Sequence, residues 1–186
     1  MAEERNKRQQ REPRKAAPVV EEFAEVVLNV RRVAKVIKGG RRLAFSALVV
    51  VGDHKGGMGI ALGKSREVAS AISKALRRAK KSMVSYPLYK TTVPYTVIGK
   101  HGASEVIIRS ASKGTGLIAG GAVRSVLEVM GVRDILAKSI GASNPQNVVK
   151  ATMDALSKLR SAAHIAALRG KSLNELIGDK KNVAAE

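Results

Sequence analysis

The stretch from Lys38 to Lys64 constrains the fold of this chain more than any other part of the sequence. Apolar side chains recur there with the period of two that is typical of a β-strand, at Leu43, Phe45, Ala47, Val49 and Val51. The intervening residues, 44, 46, 48 and 50, are also small or apolar, which predicts a central strand covered on both faces. Gly52-Asp53 and Gly56-Gly57 then predict a hairpin turn, after which residues 58–62 return antiparallel and the third strand ends at Gly63.

A further strand is predicted before this stretch, over residues 23–37, with Val26, Leu28 and Val30 on one face. The segment around the Gly39-Gly40 turn carries six cations within twelve residues and no acid; the cations are Arg31, Arg32, Lys35, Lys38, Arg41 and Arg42. Most charged turns are simply solvated hairpin tips. Mutual repulsion on this scale nevertheless favours a bound anion, so we predict phosphate contacts at this tip.

The charge of the whole chain supports the same conclusion. The formal net charge of the 186 residues is +19, which implies a polyanionic partner, either a nucleic acid or an anionic membrane surface. The longest nearly apolar run, residues 43–52, is only half of the roughly 20 residues that a membrane-spanning helix needs, so no membrane span is predicted. No apolar stretch follows the charged N-terminus, so we expect no signal peptide and a cytoplasmic location.

The composition also argues against most enzyme chemistries. The chain has no cysteine, which excludes disulfides, thiolate zinc sites and cysteine nucleophiles. The three histidines, at positions 54, 101 and 164, are scattered without the spacing of metal ligands. We therefore predict no metal, no cofactor and no catalytic residue.

A helix is predicted from Ser65, as N-cap, to about Met83. Its apolar stripe consists of Val68, Ile72, Ala75, Leu76, Ala79 and Met83. The opposite side carries Lys74, Arg77, Arg78 and Lys81. Packing the stripe on the three strands produces a β-β-β-α unit with a basic outer helix face.

The remaining sequence predicts a second unit. Strands are expected at residues 93–98, 105–109 and 134–139, with a turn at 99–102 and a helix at 117–130. Gly120-Gly121 would destabilise that helix, so we expect a close backbone contact there. Asn144 as N-cap and Pro145 at the first helical position begin the last long helix. A short tail helix is predicted from Ser172 to Gly178, with Glu175, three residues after Ser172, completing a capping box.

We divide the chain into four segments on this basis. They are a disordered arm of mixed charge (1–22), an N-terminal domain (23–88), a C-terminal domain (89–160) and a helical tail (161–186).

Two glycine-rich segments resemble nucleotide-binding motifs. Gly63-Lys64-Ser65 is similar to the end of a phosphate-binding P-loop, but the glycines before it miss the required register. The run GTGLIA at residues 114–119 fits the dinucleotide fingerprint, with Asp134 twenty residues after Gly114. Residues 110–113 separate that run from the preceding strand, whereas the fingerprint turns directly out of its strand. A small nucleotide-dependent enzyme that uses the motif at residues 114–119 is kept as the alternative function.

Two blocks occur in order along the chain, GGRRLAFSALVVVGDHKGGMGIALGKSREV and ASKGTGLIAGGAVRSVLEVMGVRDILAKSIGASNPQNVVKATMDAL. Through these blocks the chain resembles the bacterial small-subunit ribosomal protein S5 family, and the resemblance covers residues 23–178. It implies an α+β fold with two domains. The N-terminal β-β-β-α domain would resemble a double-stranded-RNA-binding domain that lacks its first helix. The C-terminal β-α-β domain would have a left-handed crossover.

The same resemblance implies a non-enzymatic component of the cytoplasmic 30S ribosomal subunit. Such a protein binds 16S ribosomal RNA near the mRNA entry path, contacts the neighbouring proteins S4 and S8, and supports translational accuracy. Residues 33–42 correspond to the family's RNA-probing hairpin, whose loop is associated with spectinomycin sensitivity. Residues 114–121 fall in the domain that faces S4.

The resulting predictions name two groups of site residues. The predicted RNA-binding residues are Arg31, Arg32, Lys35, Lys38, Gly39, Gly40, Arg41, Arg42, Lys55, Lys64 and Arg66. The predicted protein-contact residues are Gly114, Gly116, Gly120 and Gly121.

Overall fold

The structure, a computed structural model, describes residues 23–172 and Glu175 of the chain. These residues form two four-stranded sheets and four helices. The predicted arm, residues 1–22, lies outside the described part, as does most of the predicted tail helix. At the start of that tail, the Glu175 N–H donates to the Ser172 hydroxyl over 3.3 Å, which is one of the two bonds of the predicted capping box.

The first sheet has the order β1-β2-β3-β4 and all its neighbouring strands are antiparallel. Its part of the chain contains β1 (Ala24–Ile37), β2 (Gly40–Gly52), β3 (Gly57–Ser65), α1 (Val68–Lys81) and β4 (Val84–Ser85). The predicted β-β-β-α arrangement is confirmed, with the two-residue strand β4 added beside β3.

From Ser46 to Gly52 the central strand β2 is buried on both faces, as predicted, whereas Leu43, which was predicted to be covered, is 52% exposed. Ala47, Val49 and Val51 have no solvent exposure and pack with α1, whereas Val50 belongs to an apolar cluster on the other face. This part of β2 therefore lies between α1 and the second half of the chain.

Helix α1 lies unusually close to β3. A Cβ atom added at Gly59 or Gly63 would collide with the backbone carbonyl oxygen of Ala79 or Ala71 in α1. The buried side of α1 consists of Ala71, Ala75 and Ala79, all without solvent exposure. Small residues on both elements therefore determine how near the helix can approach.

The predicted orientation and start of α1 need correction. Val68, placed in the apolar stripe, is 37% exposed, because the alanine side of the helix faces the sheet. Ser65 is the last residue of β3, paired with Phe45, and is not the N-cap. The N-cap position is Glu67, whose side chain makes no capping hydrogen bond. Strand pairing with β2 continues further than the sequence pattern indicates and delays the helix.

The second sheet has the order β5-β6-β8-β7. Its part of the chain contains β5 (Val97–His101), β6 (Ser104–Ser110), β7 (Leu117–Ile118), α2 (Gly121–Met130), β8 (Ile135–Gly141), α3 (Pro145–Ser157) and α4 (Ala162–Arg169). Strands β7 and β8 are parallel and are joined through α2. The predicted β-α-β unit is thus confirmed, and the hand of its crossover stays a prediction.

Two predicted boundaries and one predicted contact in this region were wrong. Gly99 lies within β5, where a side chain would collide with the Ala151 carbonyl oxygen of α3, and the turn follows at residues 102–103. Residues 117–118 pair with β8 as strand β7, so α2 begins at Gly121. Gly120 is its N-cap residue, and no atom lies within 4 Å of a Cβ added at Gly121, so the expected close backbone contact is absent there. Pairing of Leu117 with Ile135 of β8, which lies eighteen residues later in the chain, decides where α2 starts.

The predicted N-cap of α3 is confirmed. The Asn144 side chain accepts from the Gln146 N–H, and Pro145 is the first helical residue. The buried side of α3 includes Val148, Val149, Thr152 and Leu156, and the buried Leu159 lies beyond the end of the helix at Ser157.

One apolar cluster joins the two sheets. Val50 and Met58 of the first sheet pack in the same cluster as Val126 and Leu127 of α2 and Ile135 of β8. The predicted division at residue 88 therefore separates two sheets that share a core, and it stays a prediction. Among the described residues, no helix is long and apolar enough to cross a membrane.

Candidate nucleic-acid interface

Strands β1 and β2 form a long hairpin whose outer half projects beyond the rest of the sheet. Residues 40–44 of β2 pair with β1 but have no partner in β3. Ile37 pairs with Gly40, so Lys38 and Gly39 form the turn. Gly39 has φ 90° and Gly40 has φ 147°, which are positive values that glycine adopts without a Cβ clash. No atom lies within 4 Å of a Cβ added at either glycine, so backbone conformation alone requires them.

A β-bulge in β1 decides which side chains share a face. Val27 pairs with Val49, whereas Asn29 pairs with Leu48, so Leu28 is an extra residue that reverses the alternation. Val30 consequently lies on the face opposite to Val26, and the predicted alignment of these two residues was wrong.

The bulge also decides which cations of β1 lie on which face of the hairpin. We call the side that carries Leu48 and faces the second sheet the inner face. Arg31 is paired with Ser46 and Lys35 with Arg42 on this face. A shallow groove continues the same surface, lined in part by Lys35, Arg42, Lys64 and Arg66. Arg32 and Arg41 lie on the opposite face, on the side of α1.

These cations are exposed and are not neutralised by acids. Three ion pairs occur in the described part of the chain, joining Lys80 to Glu25, Lys100 to Glu105 and Lys158 to Asp154. None of them involves a predicted RNA-binding residue. No acid occurs between Glu25 and Asp53 in the sequence. The hairpin therefore presents uncompensated positive charge on both faces, which attracts a polyanion.

Lys55 does not lie with the other predicted residues. It is in the β2–β3 loop, at the opposite end of β2 from the tip, about 40 Å along a 13-residue strand. This loop packs against the C-terminal end of α2: the His54 N–H donates to the Val129 carbonyl over 3.1 Å and the Gly56 N–H donates to the Met130 carbonyl over 3.0 Å. Lys55 could contact only a separate part of a large RNA.

The groove on the outer face of α1 adds cations to the interface that the predicted site omits. It is lined by Ser70, Ser73, Lys74, Arg77 and Arg78, together with Ala69. No acid occurs between Glu67 and Glu105, and that signal in the sequence could have placed these cations in the site.

The glycine loop of the dinucleotide-like motif is occupied by a carboxylate of the same chain. Asp134 Oδ1 accepts from the Gly114 N–H over 2.9 Å and from the Gly116 N–H over 3.1 Å. Asp134 is only 5% exposed. In the dinucleotide fingerprint, the loop amides face a pyrophosphate and the acid binds a ribose. Here the Asp134 carboxylate itself accepts the hydrogen bonds of the loop amides, so these amides are not free to bind a pyrophosphate.

The P-loop-like segment is not a loop either. Lys64 pairs with Ser46 and Ser65 pairs with Phe45 in the β2–β3 ladder. Backbone amides that cradle phosphate must lie in an open loop at the start of a helix. The structure therefore contradicts both nucleotide-binding motifs, because neither segment presents free backbone amides to a phosphate.

Comparison with known proteins agrees with this geometry. The family model described as ribosomal protein S5, N-terminal domain, matches residues 23–87, and the one described as ribosomal protein S5, C-terminal domain, matches residues 99–169. The chain belongs to the ribosomal protein S5 family. Proteins of this family are structural and non-enzymatic, so the nucleotide-dependent enzyme is excluded as the function.

Individual S5-family relatives support the same assignment over most of their length. The chain is 55% identical to the small ribosomal subunit protein uS5 of Lawsonia intracellularis over 151 residues, which are 81% of this chain and 93% of that protein. It is 53% identical to uS5 of Nitrosomonas europaea, covering 83% and 87% of the two chains, and 52% identical to uS5 of Paramagnetospirillum magneticum, covering 88% and 79%.

The Asp134 carboxylate is expected to stabilise this S5-family fold in a pH-dependent way. The hydrogen bond from the Gly116 N–H, followed by those from Thr91 and Gly114, lowers the pKa of Asp134 below its ordinary value. A lowered folded-state pKa gives a stabilisation that is complete above the unfolded-state pKa of about 3.9 and is lost as the pH falls through the folded-state pKa.

This effect can be measured by urea unfolding of the wild-type protein and the Asp134→Asn variant between neutral and acid pH. We expect the difference in unfolding free energy to be constant near neutral pH and to shrink below about pH 4. The control is Glu128→Gln, which changes a charge on the exposed side of α2. A wild-type-to-variant difference that did not change with pH would contradict the role given to the carboxylate.

Proposed function

We propose that this chain is a structural component of the cytoplasmic 30S subunit that binds 16S ribosomal RNA through its first sheet and hairpin. The observation that carries this proposal is the projecting hairpin, whose exposed cations lie on both faces and have no ion-pair partners among the described residues. A rigid two-stranded arm with such charge can enter between RNA segments and contact phosphates on either side. The relatives named as small ribosomal subunit proteins support the assignment to this particle.

The proposed contacts differ in kind along the chain. Phosphates on the inner face would be contacted by Arg31, Lys35, Arg42, Lys64 and Arg66. Phosphates on the other face would be contacted by Arg32 and Arg41, and those at the turn by Lys38. Gly39 and Gly40 would shape the tip. Lys55 would contact a separate RNA segment at the far end of the sheet.

Contacts with neighbouring proteins are part of the same proposal. By the family resemblance, the segment from Gly114 to Gly121 would face S4. Its exposure is compatible with such a contact, because Gly114, Gly120 and Gly121 are exposed and Gly116 is half-buried. Contact with S8, a position near the mRNA entry region and an influence on translational accuracy follow from the family resemblance.

Sedimentation tests the proposal directly. We expect the tagged full-length protein to co-migrate stoichiometrically with 30S particles and to be released only by high salt. Footprinting of 16S RNA with and without the protein should then show protections opposite the hairpin. A free pool of the protein that never enters 30S particles would overturn the proposal.

RNA affinity is expected to depend steeply on salt. Eight predicted cations surround the hairpin and its continuation on β3, so several phosphate contacts can form together. For about six or more such contacts, affinity should fall roughly a thousandfold or more between 50 and 200 mM salt. The measurement is titration of a plain RNA duplex by fluorescence anisotropy at several salt concentrations. A flat response would contradict phosphate-dominated binding.

A further inference from the structure

A cleft separates the inner face of the hairpin from the N-terminal end of α3. Its volume is about 210 Å³. The floor consists of Asn29, Arg31, Val33, Ser46, Leu48, Leu62 and Lys64, and the opposite wall of Asn144, Pro145 and Gln146. The cleft is smaller than the roughly 300–1,000 Å³ of typical small-molecule pockets, which suits a single planar group and not a long segment.

A row of three polar residues crosses the floor of this cleft. Ser46 on β2 pairs with Arg31 on β1 and with Lys64 on β3, so the three side chains stand side by side on one face. Neighbouring side chains in such a row are about 5 Å apart. The two long cationic chains thus flank a small residue and can both reach an anion placed above it.

Ser46 provides a hydrogen-bond donor at the floor of the cleft. No buried side-chain oxygen of the described residues lacks a hydrogen-bond partner, so the Ser46 hydroxyl, which has no partner among them, must be open to the cleft. A hydroxyl that lines a cleft between two cations is therefore available to donate to a bound anion.

The remaining walls suit a nucleobase. Apolar surfaces against which a base can lie are provided by Val33, Leu48, Leu62 and Pro145. Side-chain amides that can hydrogen-bond a base are provided by Asn29 and Gln146. The Asn144 oxygen already accepts from the Gln146 N–H, which leaves its NH₂ group as a donor. Side-chain amides combine donor and acceptor and can hydrogen-bond the edge of a base.

We propose that this cleft binds one unpaired nucleotide of RNA. The phosphate lies over Ser46 between Arg31 and Lys64, and the base enters between the apolar walls and is hydrogen-bonded by Asn29, Asn144 and Gln146. The end of α3 forms one side of the cleft, so a base stacked within a duplex cannot enter. A splayed base from a loop or a bulge can, which is the usual target of base-specific RNA recognition. This inference rests on the proposed function.

Base-directed chemical probing of 30S subunits tests the inference. Subunits are assembled with the wild-type full chain, with the double variant Asn29→Ala/Gln146→Ala, or with the matched control Asn147→Ala. Asn147 is adjacent to Gln146 but does not line the cleft. We expect one 16S nucleotide to be protected by the wild-type protein and to become roughly tenfold more reactive with the double variant, the effect of losing a base contact. The control should keep the protection.

The outcomes separate this inference from the proposed function. One outcome would overturn the cleft proposal alone: the subunits contain stoichiometric protein, but no base differs in reactivity between the wild type and the double variant. A change confined to backbone cleavage would do the same, because it indicates a phosphate site. A segment of a neighbouring protein in the cleft would likewise leave every base unchanged. Absence of the wild-type protein from the subunits would overturn the proposed function and the cleft proposal together. Equal melting temperatures of the free variants establish that folding is intact.

Discussion

Replacing Gly63 by alanine is expected to destabilise the protein by about 3 kcal/mol, the upper part of the range for overpacking. A Cβ atom at Gly63 would collide with the backbone carbonyl oxygen of Ala71 and would lie 2.8 Å from the Ala75 amide nitrogen. Backbone atoms of a helix cannot turn away as a side chain can, so α1 as a whole must move off β3. That movement separates Ala71 and Ala75 from Ala47 and Val49.

Chemical denaturation of the purified variant measures this effect. The matched control is Gly121→Ala, the same substitution at the first residue of α2, where no atom lies within 4 Å of the added Cβ. Alanine is favoured over glycine in a helix by up to about 1 kcal/mol, so the control should be neutral or slightly stabilising. Equal stabilities of the two variants would show that α1 does not depend on the close approach.

Reversing the charge of Arg41 and Arg42 to glutamate is expected to reduce affinity for RNA by about a hundredfold or more near 0.1 M salt. Each lost phosphate contact costs nearly tenfold under these conditions, and repulsion between the new carboxylates and phosphates adds to the loss. Both residues are exposed and form no ion pair among the described residues, so the unfolding free energy should change by no more than about 0.5 kcal/mol.

A control with the same change in net charge distinguishes local contacts from the general field. Arg124 on α2 and Lys150 on α3 are exposed in the second half of the chain and are absent from the predicted site. Anisotropy titrations of both double variants should show a large loss for the hairpin variant and a small one for Arg124→Glu/Lys150→Glu. The salt slope should fall by about two for the hairpin variant alone. Equal losses would mean that overall charge, and not the hairpin, governs binding.

The parts of this fold that depend on near neighbours could be predicted from the sequence. Alternation from Leu43 to Val51 indicated a strand, and both of its faces are covered from Ser46 onwards, because burial acts on each side chain of the strand separately. The Gly39-Gly40 pair indicated the reversal, because positive φ is a property of single residues. Asn144 and Pro145 indicated the start of α3 in the same way, since capping involves atoms within one turn.

The predictions that were wrong concern residues whose partners in the fold are distant in the sequence. Leu117 and Ile118 fit a helical pattern, but β8 offers them strand hydrogen bonds that become available only when residues 135–136 are in place. Ser65 fits an N-cap, but its pairing with Phe45 keeps it in β3. The predicted stripe of α1 favoured larger residues, whereas the glycines of β3 make room for the alanine side.

The sequence by itself determined that a hairpin without acids would carry a dense group of cations, since charge and turn chemistry belong to the residues themselves. Only the tertiary structure decided which cations act together. The bulge at Leu28 turns Arg31 towards the inner face, pairing in the sheet sets Ser46 between it and Lys64, and packing of the second sheet brings Asn144 opposite them. Register is a relation between strands and packing is a relation between sheets, so neither is contained in the local pattern of any one segment.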